Sequence, residues 1–285
     1  MTLTTFPDVE QGSPEWHDQR RGMVTASVVG SLLSVGKLGA IGYGCPKCSA
    51  LANDWCVTVR TGKTATPAPP TPIKTLHPER AKVAADNEAT APLVIEVANN
   101  STSRGLTRLL TSERLTGYTE ETFVSEDMWL GAEVNEPRAR DLYRKHHAPV
   151  TEVGFMVRDD WGFPIGYSPD GLVGDDGLIE VKSRRQKIHL GTILADKVPA
   201  ENMAQLMCAL LVSGRSWIDY VSYCGGMPLW TKRVFPDQQW FDAITQAVRT
   251  FESAAEDMAN TYLTRVEGLP ATERIDDNNL GLVFS

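Results

Sequence analysis

From Gly36 to about Asn100 the chain holds too few large apolar residues to make a core of its own, and this restricts its fold more than any other feature. Gly and Pro recur throughout, and the run TATPAPPTP carries four prolines, which interrupt helix and strand alike. Such a stretch buries too little surface to offset its ordering entropy, so it reads as an insertion that needs a staple. Cys45-Pro46-Lys47-Cys48, Cys56 and His77 supply one, with two, seven and twenty residues between successive members. Three thiolates and one imidazole suit tetrahedral Zn²⁺, and four protein donors leave no open position, so the ion would be structural. The rival readings are three unrelated thiols, or an iron–sulfur cluster recruiting Cys208 or Cys224. Five cysteines is an odd count, and in a reducing compartment such a cluster points to metal before disulfides.

Around the insertion the composition is that of a globular protein, with 42 % hydrophobic and 22 % charged residues, and the chain divides into 1–35, 36–100 and 101–285. Residues 13 to 34 predict a helix, a turn and a second helix opened by Thr25 or Ser27 as N-cap. Further helices are expected at about 102–115, 136–147 and 201–213. Strands are expected in VTEVGFMVR, GLIEVKS, WIDYVSYC and PLWTKRVF. Trp240, Ile244, Val248, Phe251, Ala255 and Met258 recur every three or four residues, the pattern of a long helix packed on a core. Helices flanking a small mixed sheet make an α/β (α+β) architecture. With 36 acids against 28 bases the net charge is −8. That excludes nucleic-acid binding through bulk charge but allows a local basic groove, for which Ser183-Arg184-Arg185-Gln186-Lys187 is the candidate. No apolar run reaches the length of a membrane span, and MTLTTFPDVEQ lacks the regions of a signal peptide, so a cytoplasmic location is expected.

The segment Tyr167-Ser168-Pro169-Asp170-Gly171-Leu172 precedes Gly177-Leu178-Ile179-Glu180-Val181-Lys182-Ser183. Alternation puts Glu180 and Lys182 on one strand face and Val181 on the other. The DDG between the two segments favours a hairpin-like return that brings Asp170 beside Glu180. Two carboxylates beside a lysine suit a hard divalent cation that lowers the pKa of a bound water, with the lysine to orient or deprotonate that water. His17, His146, His147 and His189 have no partner at ligand spacing.

Asp170, Glu180 and Lys182 together resemble the PD-(D/E)xK nuclease signature. Their wider form, SPDGL…GLIEVK, is similar to the lambda exonuclease (YqaJ-like) viral recombinase family. Glu15 through Ser27 resembles that family's opening ExWxxxRxGxxTAS motif, Gly131 through Arg140 its GxxxE-x-x-A-R helix, and Asn202-Met203-Ala204-Gln205 its glutamine helix. The resemblance implies a restriction-endonuclease-like core. In it Asp170, Glu180 and the Val181 carbonyl would hold Mg²⁺ (or Mn²⁺), Lys182 would be the catalytic lysine, and Gln205 a polar active-site residue. It implies a further acid in the 131–140 motif. The family places this four residues after the glycine, where this chain has Asn135. Glu136 fits through its spacing to Ala139-Arg140, and Glu133 is the alternative. Arg20, Thr25 and Ser27 would hold the 5′-phosphate of the digested strand, with Arg21 adding charge. The cysteine segment resembles a CPxC…C…HxxR zinc finger of actinobacterial and phage proteins, ending in His77-Pro78-Glu79-Arg80.

The activity implied is a phage-type 5′–3′ exonuclease. It would resect double-stranded DNA ends to 3′ single strands, as a toroidal trimer working with a single-strand annealing protein. The alternatives are a structure-specific or restriction-like endonuclease on the same core, and a non-catalytic zinc-dependent nucleic-acid-binding module.

Overall fold

The computed structural model describes residues 2–59, 69–119 and 130–273, the side chains of 132 and 133 excepted. Residues 64–68 of the TATPAPPTP run, Pro67 among them, and the Glu133 side chain lie outside the described residues.

The site is carried by a four-stranded mixed sheet of β6 (Gly171–Val173), β7 (Gly177–Ser183), β8 (Trp217–Tyr223) and β9 (Trp230–Val234), in that order. β6 runs antiparallel to β7, β7 parallel to β8, and β8 antiparallel to β9. A parallel neighbour demands a crossover, here made by α5 (Gln186–Ala195) and α6 (Ala200–Ser213). Leu178 packs into the main core with Leu206, Leu210 and Ile244. Ile179 and Val181 face a second cluster with Ala139 and Tyr143 of α4 (Glu136–His146). The period-two alternation thus assigns the faces as expected. A second sheet pairs β1 (Leu3–Phe6), β4 (Phe155–Arg158) and β5 (Ile165–Tyr167). The long amphipathic helix is α7 (Gln238–Arg265), which buries Trp240, Ile244, Val248, Phe251 and Ala255, while Met258 is half-buried.

The insertion is less bare than its composition suggests. β2 (Leu33–Lys37) and β3 (Leu93–Val97) pair antiparallel from Leu33↔Val97 to Lys37↔Leu93 and close it at its base. Beyond them lies α2 (Pro78–Asp86). α3 (Ser101–Thr116) then begins with a capping box: the Ser103 amide donates to Asn100 Oδ1 (3.0 Å) and the Asn100 amide to Ser103 Oγ (3.1 Å).

The second helix expected from Thr25 or Ser27 does not form. Gly166 donates to Val24 O (3.0 Å), and Ala26 donates to Gly166 O (2.8 Å), which ties this segment to β5 as a parallel bridge. One 3₁₀ turn, Val29–Leu32, follows before β2. Val24, Thr25, Val28 and Val29 are β-branched and Gly30 is a poor helix former, so pairing with β5 wins over local propensity.

Candidate functional site

The SPDG turn leads directly into β6, and the pairing Gly171↔Ile179 sets Asp170 opposite Glu180. Gly171 allows this close approach, because a Cβ there would stand 2.1 Å from Val150 Cγ1. Asp170 is buried and its Oδ2 accepts from the Val181 amide at 2.6 Å. Glu180 is 2 % exposed; its Oε1 accepts from Lys182 Nζ at 2.8 Å and from Gln205 Nε2, and its Oε2 from the Tyr167 hydroxyl at 3.4 Å. Gln205 comes from α6, so the crossover helix required by the sheet topology supplies a donor to the strand acid.

Glu136 opens α4, and its Oε1 accepts from Arg140 Nη2 at 2.6 Å. A π turn over Leu130–Asn135 precedes it. That wider turn accommodates one residue more than an α-turn, a physical account of why Glu136 lies five residues after Gly131. Asn135 instead donates from Nδ2 to Ser183 Oγ (3.0 Å).

Burial, then the charges of Glu180 and Glu136, push the Asp170 carboxyl well above the usual carboxylate range. Glu136 is raised by burial and by Glu180, against the opposing Arg140 guanidinium. For Lys182 burial pulls downward, but the Glu180 and Asp170 charges outweigh it and raise its pKa. Three carboxyls crowded around one lysine are mutually destabilising in a low-dielectric pocket. A hard divalent cation relieves that repulsion, and the all-oxygen donor set fits Mg²⁺ or Mn²⁺. A cavity of about 530 Å³, lined by Trp16, Glu136, Arg140, Glu152 and Pro169, opens alongside.

Arg20, Thr25 and Ser27 also converge. Arg20 is the last residue of α1 (Pro14–Arg20) and lies over the Trp16 ring, 4.0 Å from its centroid. Its Nη2 donates to Ser27 Oγ (3.1 Å) and Thr25 Oγ1 (3.4 Å), and its Nη1 to Ser168 Oγ (3.1 Å). Trp16 Nε1 donates to the same Ser168 hydroxyl at 2.9 Å. Burial lowers the Arg20 pKa to about 10 against the opposing charge of Glu113. A desolvated guanidinium bonded to hydroxyls alone is a site for an anion. Trp16 and Ser168 were not singled out from the sequence. Ser168 stands two residues before Asp170, so one turn serves both the cation cluster and the acidic pocket. Its place inside the SPDG motif was the signal available.

In the insertion the ligand atoms of Cys45, Cys48, Cys56 and His77 all lie within 4.8 Å of one another. Cys45 Sγ is 3.4 Å from His77 Nδ1. Burial opposes ionisation of Cys48, yet the amides of Val57 and Ala50 bring its thiol down to about 7. Soft thiolates with one imidazole form a zinc donor set. Cys208 lies in the main core on α6, its thiol pushed up by burial, and belongs to no such cluster among the described residues. The iron–sulfur alternative therefore gets no donor from it. His189 is held between Ser222 Oγ (2.8 Å) and Pro228 O (2.9 Å). No helix among the described residues is long and apolar enough to cross a membrane.

Residues 90–216 match the model of the YqaJ-like viral recombinase domain, and residues 10–96 match the "Putative DNA-binding phage zinc finger domain". Among solved structures the chain is similar to an alkaline exonuclease, LHK-Exo, from Laribacter hongkongensis, both alone and in complex with dAMP. Each match has 24 % identity and a TM-score of 0.62, covering 90 % of this chain and 100 % of the other. No curated protein matches. Residues 90–216 are thus similar to a YqaJ-like viral recombinase domain and residues 10–96 to a phage zinc-finger domain, the latter with a Cys₃His cluster, on a fold like that of an alkaline exonuclease.

Proposed function

We propose that the protein is a metal-dependent deoxyribonuclease acting from the ends of double-stranded DNA. The observation that carries this reading is the shared turn: Ser168 touches Arg20, and Asp170 two residues on faces Glu180. A strand end can offer a terminal phosphate to Arg20, Thr25 and Ser27 while a phosphodiester reaches the acidic pocket. A terminal phosphate carries more negative charge than an internal phosphodiester, so the Arg20 cluster favours a strand end. Asp170, Glu180, the Val181 carbonyl and Glu136 would hold Mg²⁺ or Mn²⁺, and the ion supplies an activated water and offsets charge on the phosphate. Lys182, bound to Glu180, holds a positive charge beside the phosphate and orients the water. Gln205 and Tyr167 fix the Glu180 carboxylate between them.

The 5′–3′ direction, the 3′ single strand left for recombination, a single-strand annealing partner and a trimeric assembly belong to the same proposal and rest on family resemblance. A cytoplasmic location is proposed from the N-terminal sequence, and the division into 1–35, 36–100 and 101–285 from the apolar-poor composition of the middle part, which holds the cysteine cluster. The test is nucleotide release from linear 5′-phosphorylated duplex with Mg²⁺, with covalently closed circular DNA as control. Release should vanish in Asp170→Asn and Lys182→Ala, and the circle should stay intact. Wild-type rates in Lys182→Ala would refute the site, and cleavage of the circle would favour the endonuclease reading.

A further inference from the structure

Arg184, immediately after β7, lies in the basic run 183–187 but has no part in the site chemistry above. Its amide donates to Tyr223 O at 2.8 Å. Its Nη2 donates to Asn202 Oδ1 at 2.8 Å and to the Tyr220 hydroxyl at 3.4 Å. Asn202 is buried and precedes Gln205 by three residues on α6, so both project from one face of that helix. The helix thus holds Glu180 through Gln205 and Arg184 through Asn202. Tyr220 is the register partner of Glu180 in the β7–β8 pair. The Arg184 charge acts on Lys182, and both charges act on Tyr220.

All the side-chain partners of Arg184 among the described residues are neutral oxygens. Its Nε is buried and makes no hydrogen bond. A guanidinium carries five N–H donors in a planar fork, and here only Nη2 is engaged. Holding a half-buried cation next to a second one, with no carboxylate in contact, is unfavourable unless an anion completes the arrangement. Arg140 illustrates the contrast, since its guanidinium is paired with both Glu136 and Glu152.

We propose that Arg184 is a DNA-binding residue of the acidic pocket, held through Nη2 by Asn202 and Tyr220 so that the Nη1/Nη2 edge of its guanidinium meets a backbone phosphate of the strand entering beside Lys182. The substrate rests on the nuclease reading, but the site is distinct from the Arg20 cluster that would take the terminal phosphate. The test measures equilibrium binding of a linear duplex by the zinc-loaded full chain, over a range of salt, in an Asp170→Asn background that leaves the DNA intact. Each phosphate neutralised contributes about −0.9 to the slope of log K against log salt. Adding Arg184→Gln should weaken binding and make that slope shallower by about one. Arg184→Lys should keep the slope but bind less tightly, because the charge remains and the fork is lost. Asn202→Ala, which frees the side chain without removing its charge, should also keep the slope and lose affinity. With Asp170 intact, Arg184→Gln should lower kcat/KM for nucleotide release at least about 10-fold.

Slope and affinity within twofold of the parent in Arg184→Gln would overturn the proposal. Equal losses in the Gln and Lys variants with an unchanged slope would overturn it too, because they would mark a structural role. A wild-type chain that releases no nucleotides, yet shows the slope change, would sink the nuclease reading and leave the phosphate contact standing.

Discussion

Arg80 is fully buried, and in the zinc finger it takes the place that apolar side chains would fill in a larger domain. Its guanidinium donates to the carbonyls of Ala40 (3.1 Å), Ile41 (2.7 Å), Tyr43 (2.7 Å), Leu51 (2.9 Å) and Asp54 (2.6 Å), and lies 3.6 Å from Cys56 Sγ. Replacing it with methionine keeps most of the volume and strips five carbonyls of their donor. An unsatisfied buried acceptor costs about 1–3 kcal/mol. Each carbonyl has a second lone pair and these bonds are only partly buried, so about 0.6–1 kcal/mol apiece is the fitting scale, or about 3–5 kcal/mol together. Zinc binding drives folding of such modules with about 10–16 kcal/mol, so the loss should appear mainly as weaker zinc. At 1.4 kcal/mol per tenfold, Arg80→Met should bind zinc about 100- to 4,000-fold less tightly. A competition titration against a chromophoric chelator measures this directly. A dissociation constant within threefold of wild type would refute the idea that Arg80 frames the module.

Without added Mg²⁺, Asp170→Asn should be more stable than wild type, and the gap should widen as pH rises. The raised Asp170 carboxyl holds its proton more tightly folded than unfolded, so the stability it contributes at acid pH is lost as pH climbs from the ordinary carboxylate range towards the folded value. Melting curves from about pH 4 to pH 8 would check this, and a gap independent of pH would contradict it; added Mg²⁺ should then stabilise wild type and not the variant. Gly22→Ala should destabilise by about 1–3 kcal/mol in denaturant titration. The residue has φ +65°, its Cβ would meet Arg114 Cγ at 2.4 Å, and its amide and carbonyl are bound by Glu113 and Arg114; an unchanged midpoint would show that the turn relaxes freely. Zinc removal should unfold the segment beyond Lys37 and before Leu93 while the core melts as before, because Ile95 and Val97 of β3 pack on the main core. A single shared transition in calorimetry, lost on chelation, would count against that separation.

The acidic pocket was legible because its geometry is local. A proline turn, a Gly-Asp-Asp-Gly return and a period-two strand determine which side chains meet, and no distant contact is needed. The helices with an apolar stripe were legible for the same reason. α5 was not: among QKIHLGTILA only His189 and Thr192 are buried, while Ile188, Leu190 and Leu194 are exposed, so no stripe announces it. β1 reads LTTF with little burial and exists through its pairing with β4, some 150 residues away. Thr25 shows the opposite error. Its sequence looks like a helix cap, and a bridge to Gly166 decides otherwise. Ser168 joins the cluster from 148 residues beyond Arg20 and 152 beyond Trp16, a meeting no spacing rule reaches, whereas Trp16 stands one helical turn before Arg20.

The cysteine cluster and the acidic pocket handle excess negative charge in opposite ways, and this supports the proposal that one is structural and the other catalytic. Zinc with three thiolates keeps a surplus negative charge, and in the finger a buried guanidinium stands against Cys56 while backbone amides support the Cys48 thiolate. Every remaining group of that guanidinium is occupied, so the site is closed and electrostatically complete. In the acidic pocket Lys182 is the one cation bonded to Glu180 among the described residues, Arg140 is shared between Glu136 and Glu152, and Asp170 accepts from the Val181 amide. The crowding that raises the Asp170 and Glu136 carboxyls is a cost the folded chain carries until a cation arrives. On the proposed reading that deficit, beside an open cavity, would leave a bound ion exchangeable and accessible to water and phosphate. On that reading the stability withheld from the pocket would be recovered as ion and then substrate bind, so that binding energy acts on the reaction and not on the resting protein.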